Sequence, residues 1–238
     1  MSERLALVTG TSSGIGAAVA RQLLANGWQV IGVSRRAVPM QDNYRHLALD
    51  LADAGSAAPA IERDFGARLA ERDWQRLGVV NNAAAAPAGR AERLDAGELA
   101  RAFALNVAMP LWLMGLALRL RPASTPLRIV NISSGAAHRA VPGLAAYCAS
   151  KAALRLAGMT VAAETGGDVA IYSYEPGVVD TEMQRAAREM PLEVFPSGAM
   201  FRQYHAEGRL APPEAPAADI VKFLQSEGAE RFMEGRRT

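Results

Sequence analysis

Cysteine is almost missing from this sequence. Cys148 is the single one among 238 residues, which excludes an intrachain disulfide and fits a reducing compartment. A charge excess is missing as well. Lysine and arginine total 26 against 24 aspartate and glutamate, a formal net charge of +2, so bulk electrostatics point to neither nucleic acid nor an anionic membrane. No clean membrane-length apolar run occurs. The longest candidate, Ala102 to Leu118, carries Asn106 and Pro110 and reads as a helix buried in a core or a subunit interface. Met1-Ser2-Glu3-Arg4 runs straight into an apolar strand pattern, without the charged and apolar regions of a signal peptide, so a cytoplasmic protein is expected. His46, His138 and His205 stand at no metal-ligand spacing from one another or from Cys148, and no metal site is expected. No repeat, linker or low-complexity tract divides the chain.

What is present is an alternation. Leu5-Ala6-Leu7-Val8 is a short apolar run stopped by Thr9-Gly10, as a fully buried parallel strand is. Ile15 to Leu24 repeats apolar residues at helical spacing and stops at Asn26-Gly27. Further strand-like runs are Trp28–Val33, Leu77–Val80, Leu127–Ile132 and Val169–Tyr172. Helical patterns fall at Ser56–Leu69, Ala96–Leu120 and Ala146–Ala163. This order predicts an α/β, single-domain, Rossmann-type doubly wound parallel sheet flanked by helices over residues 1–238. The Pro- and Met-bearing stretch 181–213 breaks the alternation and reads as a helical insertion after the sixth strand. Phe232 to Thr238 gives only a weak final strand.

Thr9-Gly10-Thr11-Ser12-Ser13-Gly14-Ile15-Gly16 sits between the first strand and the first helix. Glycines there permit a tight turn and close ligand approach, with a helix N-terminus facing an anion. Nucleotide choice is decided at the end of the second strand, where an acid would hold a ribose 2′-hydroxyl and repel a 2′-phosphate. The sequence offers Ser34-Arg35-Arg36 and no acid. Guanidinium groups pair well with phosphate oxygens, which favours NADP(H); the other reading has both arginines merely facing solvent.

Tyr147 and Lys151 are four residues apart, on one face of a helix. A phenol titrates near pH 10, and a nearby cation brings it toward the working range of an acid or base. Ser134 follows the strand Leu127–Ile132 and carries a hydroxyl to the sheet edge where ligands bind. Pro110 lacks the N–H that would bond the carbonyl of Asn106. A kink is expected there, with a carbonyl free to hold a water, or simply a kinked packed helix.

Together these residues resemble the ordered motif set of the short-chain dehydrogenases/reductases. The set comprises Gly10, Gly14 and Gly16; Asn81-Asn82-Ala83-Ala84; Asn106; Ser134; Tyr147-x-x-x-Lys151; and Pro176-Gly177, running from about Leu5 to Thr181. The resemblance implies a catalytic set of Ser134, Tyr147, Lys151 and Asn106. Tyr147 would be the acid/base, and Lys151 would bind the nicotinamide ribose and lower the phenol's pKa. Ser134 would orient the carbonyl, and Asn106 would support a relay water. It further implies cofactor contacts from Gly10, Ser12, Ser13, Gly14, Ile15, Gly16, Ser34, Arg35, Arg36, Asp50, Leu51, Asn82, Ala83, Ala84, Tyr147, Lys151, Pro176, Gly177, Val179 and Thr181. It implies a homodimer or homotetramer, which suits the apolar helix around Ala102–Leu118. Ser173 to Gln184 is similar to the corresponding stretch of the sepiapterin reductase and benzil reductase-like subgroup, which implies NADPH and a ketone or vicinal dicarbonyl substrate. Two departures stand out: Ala84 where the family has glycine, and an early end at Thr238 that shortens one usual wall of the substrate pocket.

Met183, Met190, Phe195, Met200, Phe201 and Tyr204 crowd the insertion. They read either as an adaptable wall for an apolar or aromatic carbonyl substrate or as the packing of two short helices. The expected activity is NADPH-dependent reduction of a carbonyl to an alcohol. The rivals are an NAD-dependent alcohol dehydrogenase and a non-catalytic NADP(H)-sensing or scaffold protein.

Overall fold

The computed structural model describes residues 3–39 and 41–237; Met1, Ser2 and Thr238, on which readings of the two chain ends partly rest, lie outside the described residues. Seven strands form one sheet: β1 Arg4–Thr9, β2 Gln29–Ser34, β3 Tyr44–Ala48, β4 Arg76–Asn81, β5 Leu127–Ile132, β6 Val169–Glu175 and β7 Phe232–Arg236. Their spatial order is β3-β2-β1-β4-β5-β6-β7 and every pairing is parallel. The order reverses between β1 and β4. At that switch point the two neighbouring crossovers leave on opposite faces, and a crevice opens beyond the carboxyl ends of the strands.

Alternation along the strands builds the two cores. In β1, Leu5 and Leu7 face one side while Ala6 and Val8 face the other, and all four are buried. The first side is covered by α2 Ala54–Leu69, α4 Met109–Leu120 and α5 Ala145–Glu164, through Ile61, Phe65, Leu113, Met114 and Leu154. The second is covered by α1 Gly14–Ala25 and α8 Glu214–Leu224, through Val19, Leu23, Ile220 and Leu224. A sheet buried on both faces is why its strands read as continuous apolar runs.

Two elements are missing from the sequence reading. β3 has an exposed Arg45 and a half-buried His46, and it is paired on one side only, with β2, so it shows no apolar run. α8 begins after Pro213, its N-cap, and its buried residues Ala217, Ile220, Val221 and Leu224 do have helical spacing. Elsewhere the differences are at ends: β2 starts at Gln29 rather than Trp28, and β6 runs on to Glu175. The weak final strand is a five-residue β7 in parallel register with β6, from Ile171 opposite Phe232 to Glu175 opposite Arg236.

The break expected at Pro110 takes the form of a π turn. α3 Ala96–Phe103 passes through π-helical Ala104–Ala108 into α4, so the missing N–H is accommodated by wider winding. The combined helix Ala96–Leu120 is long and apolar enough to cross a membrane by length and composition, but Met109, Leu113, Met114, Leu116 and Ala117 belong to the core against the sheet.

Candidate active site

The crevice at the carboxyl ends of β1 and β4 is built around Thr9. Its hydroxyl donates to the Val80 carbonyl at 3.2 Å and accepts from the N–H groups of Asn82 and Ala83 at 2.9 and 3.0 Å. The Asn82 amide donates back to the Thr9 carbonyl at 2.9 Å. β4 therefore holds the first turn of the glycine loop in place. Gly10 has φ +74°, and a Cβ there would lie 2.6 Å from Asn82 Nδ2; a Cβ on Gly16 would lie 2.3 Å from the Gly10 carbonyl oxygen. Only glycine fits either position. Ser13 caps α1 with no side-chain hydrogen bond to it, and no acid occupies the first turn. The amides of Gly14, Ile15 and Gly16 thus open α1 without an acid in their own turn, an arrangement that suits a diphosphate. Thr181 sits directly over this turn, its Cγ2 3.2 Å from where a Gly14 Cβ would be.

The rim beside β2 gathers Ser34, Arg35, Arg36, Asp50 and Leu51, which the sequence marks as expected nucleotide contacts. Ser34 is buried and donates to the Arg36 carbonyl at 2.9 Å. Arg35 is exposed and near enough to Asp50 to help hold that carboxyl below the usual range. The larger cause there is the Ala52 N–H, and an ion pair with Arg101 at 2.7 Å also contributes. Leu51 is buried behind it. Arg36 swings over the glycine loop, donating to Ser13 Oγ at 3.0 Å and to Ser12 Oγ at 3.4 Å. The same guanidinium makes a bidentate contact with Glu182, at 3.0 and 3.1 Å. Glu182 is absent from the residues expected in the site. No local signal could flag it, because 146 residues separate it from Arg36.

The chemical residues converge at the end of β5. Ser134 begins a single 3-10 turn, Gly135–Ala137, and its hydroxyl accepts from the Ala136 N–H at 3.2 Å. Its side chain also acts on the Tyr147 phenol, whose pKa it lowers. Lys151, one turn along α5, lies with Nζ 5.5 Å from the Tyr147 ring centroid and donates to the Ile132 carbonyl at 2.7 Å. Burial pushes the phenol up to about 12, and Ser134 opposes it. Burial pulls Lys151 down to about 8. The ammonium is 2% exposed, so desolvation opposes its charge. Asn106, in the π turn, is fixed at three points: its amide donates to the Ala85 carbonyl at 2.7 Å and Ser150 Oγ at 3.0 Å, and its oxygen accepts from the Ala85 N–H at 2.9 Å. That ladder fastens the chain after Ala83-Ala84 to α5, one residue before Lys151.

Beyond β6, Pro176-Gly177 turns the chain back, with Gly177 at φ +76°. Val179 pairs with Ala211, and the Asp180 N–H donates to the Ala211 carbonyl at 2.9 Å. The segment between them is therefore closed at its base. It contains α6 Glu182–Glu189 and α7 Gly198–Ala206. Phe195 is fully buried and packs on Phe201 with ring centroids 5.4 Å apart; these two hold the short helices together. Ser197 Oγ donates to the Pro142 carbonyl at 2.8 Å, which seats the pair on the turn preceding α5. Met183 stays 39% exposed. Cys148 is part-buried next to Tyr147.

Along most of its length the chain is similar to known proteins. The family described as short chain dehydrogenase matches residues 4–192. A benzil reductase ((S)-benzoin forming) of Bacillus cereus is 31% identical over 94% of this chain and 95% of its own length. The benzil reductase ((S)-benzoin forming) of Bacillus subtilis (strain 168) is 32% identical over 93% of each chain. Among solved structures, a short chain dehydrogenase/reductase of Saccharomyces cerevisiae superposes with a TM-score of 0.84 over 97% of this chain and 95% of that one. At 24% identity it speaks to the fold alone.

Proposed function

The chain belongs to the short-chain dehydrogenase family, and from that premise we propose that it is an NADPH-dependent reductase of ketones or vicinal dicarbonyls. Membership makes it an oxidoreductase of the CH–OH/C=O type that uses a nicotinamide cofactor. The observation that carries the finer reading is the cluster of Ser134, Tyr147 and Lys151, which opens on the same crevice as the uncapped start of α1.

A bound nicotinamide dinucleotide supplies the hydride. The glycine loop and the first turn of α1 would hold its diphosphate through backbone N–H groups, and Arg35 and Arg36 would attract a 2′-phosphate. The Ser134 hydroxyl and the Tyr147 phenol both donate to the substrate carbonyl oxygen. Tyr147 keeps its proton at neutral pH because burial holds its pKa high, which is the state required of an acid in reduction. Lys151 places a cation beside the phenol and stabilises the phenolate left after transfer. Asn106 holds the backbone on which this geometry rests and supports proton resupply from solvent.

The segment bearing α6 and α7 acts as the substrate lid. Met183 and Met190 give it an adaptable apolar surface, which suits an aromatic diketone. Exposed Leu111, Leu156 and Met159 on α4 and α5 form the face on which a second copy docks, giving a homodimer or homotetramer. The reaction belongs in the cytoplasm, where the single thiol stays reduced.

The test is NADPH consumption by the purified protein over benzil, other aromatic 1,2-diketones, sepiapterin, simple ketones, aldehydes and 3-oxoacyl thioesters, each repeated with NADH. Turnover of the vicinal dicarbonyls with NADPH supports the reading. Nucleotide binding with no turnover of any carbonyl would overturn it in favour of a sensor.

A further inference from the structure

The end of β2 contains no acid, yet the folded protein brings one there from a different element. Glu182, the first residue of α6, lies across the glycine loop from Arg36. Its carboxylate takes three hydrogen bonds from the guanidinium, and that guanidinium also donates to the hydroxyls of Ser12 and Ser13. Arg36, above all, and to a smaller extent the Ser13 hydroxyl, hold the Glu182 carboxyl below the usual range. An oxyanion is thus already seated on the donors that flank the start of α1.

A carboxylate and a phosphoryl group present the same face to these donors: two oxygens matched to one guanidinium, with a serine hydroxyl at the side. They compete for one place. We propose that Glu182 is a cofactor-discriminating residue, an internal anion that a phosphoryl group of the nucleotide must displace from Arg36 and Ser13. This deepens, and rests on, the reading of the crevice as a nicotinamide dinucleotide site.

Three features make the exchange feasible. Both partners are more than half exposed, at 59% and 60%, and an ion pair so wetted is weak. A phosphomonoester carries close to two charges at neutral pH and outcompetes a carboxylate for a cation. Once displaced, Glu182 remains in the first turn of α6, where a helix favours an acid. The exchange also has a mechanical consequence. Arg36 and Glu182 tie the nucleotide rim to the first turn of α6, so seating a phosphoryl group on Arg36 unties α6 from the loop. Nucleotides lacking that phosphoryl group leave the tie intact.

The experiment is calorimetric titration at low ionic strength of the whole protein and of Glu182→Gln with adenosine 2′,5′-bisphosphate, ADP and adenosine. An exposed pair of this kind corresponds to about a two- to five-fold change in affinity. The variant is expected to bind the bisphosphate tighter by that factor, with ADP and adenosine unchanged. An equal gain with ADP places the competition at the diphosphate, which both nicotinamide dinucleotides carry, and overturns the discriminating role. Equal or weaker binding of the bisphosphate by the variant overturns the proposal. NADPH turnover by the unaltered protein separates the two levels. If turnover persists while the titrations coincide, only the role of Glu182 falls; if neither protein binds any nucleotide, the cofactor reading falls first and this proposal with it.

Discussion

Each side chain proposed to react in the crevice is set by its immediate neighbours. Tyr147 loses solvation by burial, which outweighs the opposing effect of Ser134, and so remains an acid up to about pH 12. Tyr147→Phe removes the transferable proton without removing the ring. Carbonyl-reduction turnover is expected to fall by roughly 10²–10⁴-fold, with NADPH affinity, read by fluorescence titration, nearly unchanged. Lys151 titrates near 8 because burial disfavours its charge. Below that pH both the neutral phenol and the cation are present. As pH rises through about 8 the ammonium is lost, and kcat/KM for reduction is expected to fall along an alkaline limb centred there. A pH–rate profile with no limb before pH 10 would contradict this. On the nucleotide rim, Arg35→Asp exchanges an attractive charge for a repulsive one. A charge-assisted hydrogen bond is worth about 1.5–3 kcal/mol, so KM for NADPH should rise roughly 10- to 100-fold while KM for NADH changes little. Equal effects on the two would leave Arg35 as solvated surface. Ser134, Tyr147 and Lys151 stand out in the sequence by family motif order, and Arg35 by its place after the second strand, where no acid occurs. Glu182 does not, because its partner Arg36 is distant in the chain and only the loop geometry joins them.

Among the elements, the long helix Ala96–Leu120 carries most of the information about how the site is held. Pro110 is legible in the sequence as a break; that the break is a π turn clasping Ala85 and Ser150 through Asn106 is not. Asn106 is 1% exposed, and leaving buried partners unpaired costs about 1–3 kcal/mol each. Asn106→Ala is therefore expected to lower stability by about 3 kcal/mol, or roughly 6–12 °C in Tm for a domain of this size, in a thermal melt. A melt within a degree or so of the parent would show that the three contacts are not structural. β3 and α8 show two ways an element escapes sequence reading. β3 is an edge strand with few buried side chains, so no apolar run announces it. α8 has a proper apolar stripe, but it follows directly on the Pro-containing insertion that interrupts the strand–helix alternation.

At the scale of the whole molecule, the sheet buries both faces, and outside the α6–α7 segment the exposed large apolar side chains lie on α3, α4 and α5. Phe103, Leu111, Leu156 and Met159 are 36–61% exposed there. If a second copy covers them, light scattering should give a mass of at least twice 25.2 kDa, and Leu156→Glu, which buries a charge in such an interface, should return it to the monomer. A parent protein that is monomeric at micromolar concentration would refute this. The sequence alone determined the fold class and the glycine loop between β1 and α1. These depend on local periodicity, on glycine and proline at fixed positions, and on strand runs that must be apolar when both faces are covered. Tertiary structure decided the rest. Register brought Asn82 onto Thr9, the π turn brought Asn106 onto Ala85, and closure of the segment between Val179 and Ala211 brought Glu182 onto Arg36. Such contacts join residues that are neighbours only after the chain has folded, and burial, which no residue carries in its own identity, is what raises Tyr147 and lowers Lys151.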